Sequence, residues 1–155
     1  MSKSIELAPA SEVEGAICET VKEEEVAEIM QIYIPQMIGI LESLNGYGLA
    51  APQVGIKKKF FIMRNDETRN YDVFFNAIYF KEGSRFKIEE GCLSYEKGKN
   101  FAKIDRWKSV KVRYQMWDGT KLVEKKETAR KVRALGFQHE VDHIGQNGSP
   151  GITVF

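Results

Sequence analysis

Cysteine is scarce in this sequence: only Cys18 and Cys92 occur in 155 residues. That is too few for a disulfide framework, so a reducing cytoplasm is the expected setting. Long apolar runs are missing as well. The longest, Ile32 to Leu44, is broken by Pro35, Gln36, Gly39, Glu42 and Ser43, and no apolar stretch follows a basic start within Met1 to Glu25. Neither a membrane-spanning helix nor a signal peptide is expected, and no membrane partner with them. Repeats and low-complexity tracts are also lacking, which excludes fibrous and disordered classes.

What remains is ordinary globular composition, 43% hydrophobic and 29% charged, with a formal net charge of +1. The length suits one domain over residues 1–155, expected to be a monomer. Charge is unevenly placed: residues 1–50 hold 2 basic and 9 acidic side chains, and the remainder holds 21 and 13. The basic part is expected to be solvated surface or, more sharply, a face drawn to RNA or a ribosome.

Apolar residues at Val26, Ile29, Met30, Tyr33, Met37, Ile40, Leu41 and Leu44 follow helical spacing. Glu23, Glu24 and Glu25 complement the positive end of that helix, Asn45-Gly46 stops it, and Pro35 is expected to kink it or to end a first segment. Short runs rich in β-branched and aromatic residues follow at Lys59 to Met63, Tyr71 to Phe75, Ser109 to Tyr114 and Lys121 to Glu127. They read as strands, the last two joined by a hairpin turn at Asp118-Gly119. A second helix is expected to begin near Thr128 and to carry Val132, Leu135 and His139 on one side. Helix, antiparallel strands, then helix describes an α+β fold.

The only two histidines stand in His139-Glu140-Val141-Asp142-His143. Positions i and i+4 share a helix face, so both imidazoles reach one metal while Glu140 projects beside it. Chance placement of these residue types gives this string roughly once in 700 chains of such composition. A catalytic zinc-like centre wants a third protein ligand, and Ile144 to Phe155 contains no His, Asp, Glu or Cys. The third ligand is therefore sought upstream, among carboxylates and the two cysteines. Cys92, in Glu89-Glu90-Gly91-Cys92-Leu93-Ser94 between segments of strand character, is the better candidate. A third feature is Gly46-Tyr47-Gly48-Leu49-Ala50-Ala51-Pro52-Gln53, where glycines permit close backbone approach and Gln53 offers an amide N–H to an oxyanion.

Taken together, GYGLAAPQ at 46–53, EGCLS at 90–94 and HEVDH at 139–143 resemble the motifs of the peptide deformylase family, in order, spacing and content. The resemblance extends over about residues 20 to 143. It implies an α+β fold in which antiparallel strands pack around a central C-terminal helix carrying HEVDH, with an N-terminal helix. It also implies a hydrolase that removes the formyl group from the N-terminal formyl-methionine of nascent polypeptides in the cytoplasm. Cys92, His139 and His143 would hold one divalent ion, Fe2+ in many members, with Zn2+, Ni2+ or Co2+ able to replace it. Glu140 would act as general base, the Gln53 amide and the Leu93 N–H would hold the oxyanion, and Gly48 and Gly91 would contact the substrate backbone.

Further expectations follow from neighbouring residues. Glu90 is expected to orient His139, and Asp142 to pair with Arg106. Val132, Leu135 and Gly136 are placed either in ordinary core or around the methionine side chain. Tyr47 stands where the family more often has Val or Ile, which makes the pocket rim more polar. The stretch after Ser94 lacks the usual proline. The chain ends twelve residues after His143, like short family forms that include phage-encoded ones, so any ribosome contact is expected through the basic surface. Two alternatives stand beside this reading: a small HExxH metallopeptidase, and a non-catalytic metal- or ribosome-binding module on the same fold.

Overall fold

The computed structural model describes residues 4–91, 101–146 and 151. Five strands, β1 (Gly48–Ala50), β2 (Phe60–Asn65), β3 (Asn70–Gly91), β4 (Phe101–Trp117) and β5 (Leu122–Arg130), form one sheet in the order β1-β2-β3-β4-β5. Every neighbouring pair is antiparallel.

Helices cover both faces of this sheet, because β2 is apolar on both. Phe60 and Ile62 point to one side, where they join Val26, Ile34, Met37 and Leu41 from the N-terminal helices α2 (Glu23–Glu28) and α3 (Ile34–Ser43), with Ile29 from between them. Phe61 and Met63 point to the other, where they meet Ala134, Phe137, Val141 and Ile144 of the C-terminal helix α4 (Lys131–Ile144). Phe137 is the centre of that second core. Its ring lies 4.9 Å from Phe74 and 5.7 Å from Tyr114, centroid to centroid, so α4 is seated by aromatic packing worth about 1.5–3 kcal/mol per buried ring. A further short helix, α1 (Ala10–Val13), lies near the amino terminus.

Pro35 acts as expected, by a specific device. Between α2 and α3 the chain forms a π-helical turn, Ile29–Tyr33, in which the Ile34 N–H reaches back to the Ile29 carbonyl. That wider turn makes room for a proline at the second position of α3, where an ordinary helix would clash. At Asp118-Gly119 the expected hairpin turn is present: the Asp118 carboxylate accepts from the backbone N–H groups of Thr120 and Lys121.

Three expectations are corrected. The C-terminal helix begins at Lys131, because Thr128 pairs with Lys111 inside β5. β5 passes into α4 without a loop, the corner being made by Lys131 at a φ of 56°. Val132 is 57% exposed, so it does not share the buried side of α4 with His139. The third concerns strand lengths. β3 and β4 run well past the segments expected, and a short strand occupies Gly48–Ala50. Register shifts at Phe75/Ile78 and Glu82/Arg85 interrupt the alternation that would have marked the extension of β3.

Candidate active site

Helix α4 and the residues just after it are arranged in longitudinal rows, with members three or four residues apart, and each row has its own task. Phe137, Val141 and Ile144 enter the core described above. Gln138, Asp142 and Gln146 form a polar row that fastens the helix to β3 and β4. Gln138 behaves as a strand partner: its Oε1 accepts from the Trp107 N–H at 2.8 Å, and its Nε2 donates to the Trp107 carbonyl at 2.9 Å. One turn on, Asp142 accepts from Arg106 at 2.6 Å and from the Tyr79 hydroxyl at 3.0 Å. Gln146 accepts from the Tyr79 backbone N–H at 2.7 Å.

The expected Asp142–Arg106 pair is therefore present, and it is buried, with the two side chains 10% and 4% exposed. Burial pushes the Asp142 carboxyl up, while Arg106 and the Tyr79 hydroxyl pull it down. Burial and the neighbouring carboxylate also raise the Tyr79 phenol, which keeps it a proton donor to Asp142.

The third row is Leu135, His139 and His143. The two Nε2 atoms stand 3.1 Å apart, in rings inclined at 78°. Two imidazole nitrogens bound to one tetrahedral ion at zinc-like distances stand about 3.3 Å apart, so this spacing fits a shared ligand. Burial, the nearby His139 and Arg106 all depress the His143 pKa. A neutral imidazole with a lone pair to give is what a metal requires. Ligand atoms of His139, Glu140 and His143 lie within 4.8 Å of one another, and all three residues are buried. The donor set thus suits a divalent cation.

Backbone geometry delivers Glu140 to the same place. An added Cβ at Gly48 would fall 2.7 Å from Glu140 Oε2 and 3.1 Å from the Ile62 carbonyl oxygen. Glycine is the one residue that lets β1 lie this close to the carboxylate. After β1 the chain turns through a 3-10 helix, Ala51–Val54, which packs against α4. Gln53 is buried there, and its Oε1 accepts from the Ala50 N–H at 2.9 Å, which fixes the plane of the amide and leaves Nε2 as its donor end. At the far end of α4, Gly151 packs on the His143 carbonyl and exchanges backbone hydrogen bonds with Gly15 and Ala16.

His139, His143, Glu140, Gly48 and Gln53 are thus gathered on α4 and on the segment that faces it. Gly91 ends β3, opposite Phe101. Cys92, Leu93 and the Glu90 side chain lie outside the described residues. Leu135 is half-buried, whereas an added Cβ at Gly136 would meet the Tyr47 ring at 2.6 Å and Met63 Sδ at 2.8 Å. Tyr47 therefore fills the space that Gly136 leaves, with the Arg64 guanidinium 5.6 Å from its ring centre. Tyr79 and Gln146 were not among the expected site residues. The spacing of Gln138, Asp142 and Gln146 was the available signal for them.

The family model for polypeptide deformylase matches residues 8–148. Among characterised relatives, the peptide deformylase of Thermotoga neapolitana is 39% identical over 118 residues, covering 76% of this chain and 68% of that protein. That of Thermotoga petrophila is 39% identical over 112 residues, covering 72% of this chain and 64% of that protein, so the match spans about two thirds of these relatives. Among solved structures, the peptide deformylase of Thermotoga maritima superposes with a TM-score of 0.74 at 29% identity, covering 99% of this chain and 95% of that one. A probable peptide deformylase from Synechococcus phage S-SSM7 gives 0.76 at 28% identity, covering 91% and 94%.

Proposed function

Because this chain belongs to the polypeptide deformylase family, metal-dependent hydrolases that act on nascent polypeptides, we propose that it removes the N-terminal formyl group through Glu140 and the ion-binding pair His139 and His143. The observation that carries this reading is the convergence of two imidazoles, one of them kept neutral by burial, and a buried carboxylate beside Gly48. Cys92 completes the ligand set as the third donor, and Fe2+ is the expected native ion. A divalent ion so held supplies Lewis acidity and makes water nucleophilic at neutral pH.

The chain's own groups do the rest. Glu140 accepts the proton of the attacking water as the new C–O bond forms, then passes it to the amine as the C–N bond breaks. Formate and a free methionine amine leave. Gln53 Nε2 and the Leu93 N–H donate to the carbonyl oxygen as it gains charge. The substrate backbone lies extended between Gly48, on edge strand β1, and Gly91 at the end of β3, using main-chain hydrogen bonds. Arg106, Asp142, Tyr79 and Gln138 are positioning residues that hold α4, and so both imidazoles, against the sheet. Residues 1–155 act as one catalytic domain, and its nascent substrates place its work beside the ribosome in the cytoplasm. Among the described residues no helix is long and apolar enough to cross a membrane.

Two measurements test this reading. Anaerobically purified, iron- or nickel-loaded protein is expected to liberate formate from formyl-Met-Ala-Ser, to leave internal peptide bonds intact, and to stop when a chelator removes the ion. Internal cleavage would identify an endopeptidase instead, and inertness of the loaded protein would identify a binding module. Leu135 shares a row with both histidines and borders the methionine side chain, so Leu135→Trp is expected to raise KM for formyl-methionyl peptides about tenfold with little change in kcat. An unchanged KM removes it from the pocket.

A further inference from the structure

Strands β3, β4 and β5 present a second face with a chemistry of its own. Residues paired across neighbouring strands share a face, and two ladder rows carry unusual content: Phe80 opposite Lys111 opposite Thr128, and Ile78 opposite Arg113 opposite Lys126. The alternate positions Val110, Val112, Tyr114 and Ala129 turn inward to α4, so the two rows turn outward. Phe80 is 51% exposed there, a large apolar ring on a solvated sheet. The Arg113 guanidinium stands 5.8 Å from its centroid. Phe80, Lys111, Arg113, Lys126 and Thr128 line an open groove of about 320 Å³, whose wall also includes Val112 and Glu127.

Arg113 and Lys126 are placed directly opposite each other, an arrangement of like charges that costs stability in a sheet. Neither they nor Lys111 makes an ion pair among the described residues. Of the described carboxylates beside them, Glu127 is committed to Arg133 and the Tyr114 hydroxyl, and Glu124, two residues from Lys126 on the same outward face, makes no ion pair with Arg113 or Lys126. No ion pair among the described residues offsets that cost, and a face of this charge is suited to an anionic partner. An exposed ring set among unneutralised cations is suited to a polyanion that also carries flat rings. Single-stranded nucleic acid has both, with bases that stack on aromatic side chains and phosphates that meet Lys and Arg.

We propose that this face binds single-stranded RNA, one base stacking on Phe80 and the flanking phosphates meeting Lys111, Arg113 and Lys126. The choice of RNA over DNA rests on the proposed function, since a hydrolase of nascent chains works beside RNA; the stacking geometry does not depend on it. The face lies on the outer side of the sheet from α4, so RNA binding and deformylation are separable.

The test is fluorescence anisotropy of an end-labelled twelve-nucleotide oligouridylate RNA titrated with metal-loaded protein between 50 and 200 mM salt, beside formate release from the same preparations. Wild type is expected to bind at the lower salt. Phe80→Ala is expected to weaken binding about tenfold without altering the salt dependence, because a stacked base carries no counterion. A Lys111→Gln/Arg113→Gln/Lys126→Gln variant is expected to weaken it further and to flatten the log–log salt slope by about 2, from three phosphate contacts. Formate release should be unchanged in both. The proposal is overturned if wild type does not bind, if Phe80→Ala binds as wild type does, or if duplex RNA or phosphatidylglycerol vesicles bind equally well. It is overturned too if sedimentation shows a dimer that Phe80→Ala dissolves, which would make a second copy the occupant. Loss of formate release in wild type itself would instead count against the proposed function and leave the RNA result readable on its own.

Discussion

Gly48→Ala is expected to lower kcat/KM for formyl-Met-Ala-Ser by about 100-fold or more while both histidines keep their ion. The added methyl would sit 2.7 Å from Glu140 Oε2 and 3.1 Å from the Ile62 carbonyl oxygen. The carbonyl is held in the β1–β2 ladder, where Leu49 pairs with Ile62, and it cannot retreat. The carboxylate must give way, and a displacement of about 1 Å at a proton-transferring group costs on the order of 100-fold. His139 and His143 lie on a neighbouring row of α4 and are not pushed. Metal content measured beside kinetics separates the two effects: normal metal with lost turnover is expected, whereas near-normal turnover would show that β1 does not set the position of Glu140.

Arg106→Ala is expected to be the most destabilising single change among the site's supports. It removes the partner of Asp142 from a place where both side chains are buried, and among the described residues the Tyr79 hydroxyl is the hydrogen-bond donor left to that carboxylate. Breaking a buried ion pair from one side costs about 3–5 kcal/mol. For a chain of this size that lowers Tm on the order of 10 °C. Replacing both partners, as in Arg106→Met/Asp142→Leu, leaves no stranded carboxylate at position 142 and should recover most of the stability. If the single and double variants melt alike, the pair is not what fastens α4, and Gln138 with the Phe137 cluster must suffice.

The parts of this molecule that the sequence announces are those whose residues carry their own pattern. HEVDH needs only helical spacing to become a site, and β2 is legible because Phe60, Phe61, Ile62 and Met63 form an apolar run buried from both faces. Strand β1 is hidden for the opposite reason: it has only three residues, Gly48–Ala50, and the glycine and alanine on either side of Leu49 resemble a turn. The outer length of β3 and β4 is hidden because charged residues alternate there with few apolar ones, and bulges shift the phase. Helix α4 is partly masked by its role, since Gln138, His139, Glu140 and His143 are polar yet buried, which erases the usual division into wet and dry faces. Asp142–Arg106 was within reach of the sequence, whereas the third participant, Tyr79, comes from a strand 63 residues away and only the fold reveals it.

The most direct test of the central claim is formate release from formyl-Met-Ala-Ser by iron- or nickel-loaded wild type and Glu140→Ala, with bound metal quantified in both. The account predicts equal metal content and a loss of turnover of at least about 100-fold in the variant, since general-base assistance contributes about that much or more. Turnover in fully loaded Glu140→Ala within a fewfold of wild type would contradict it.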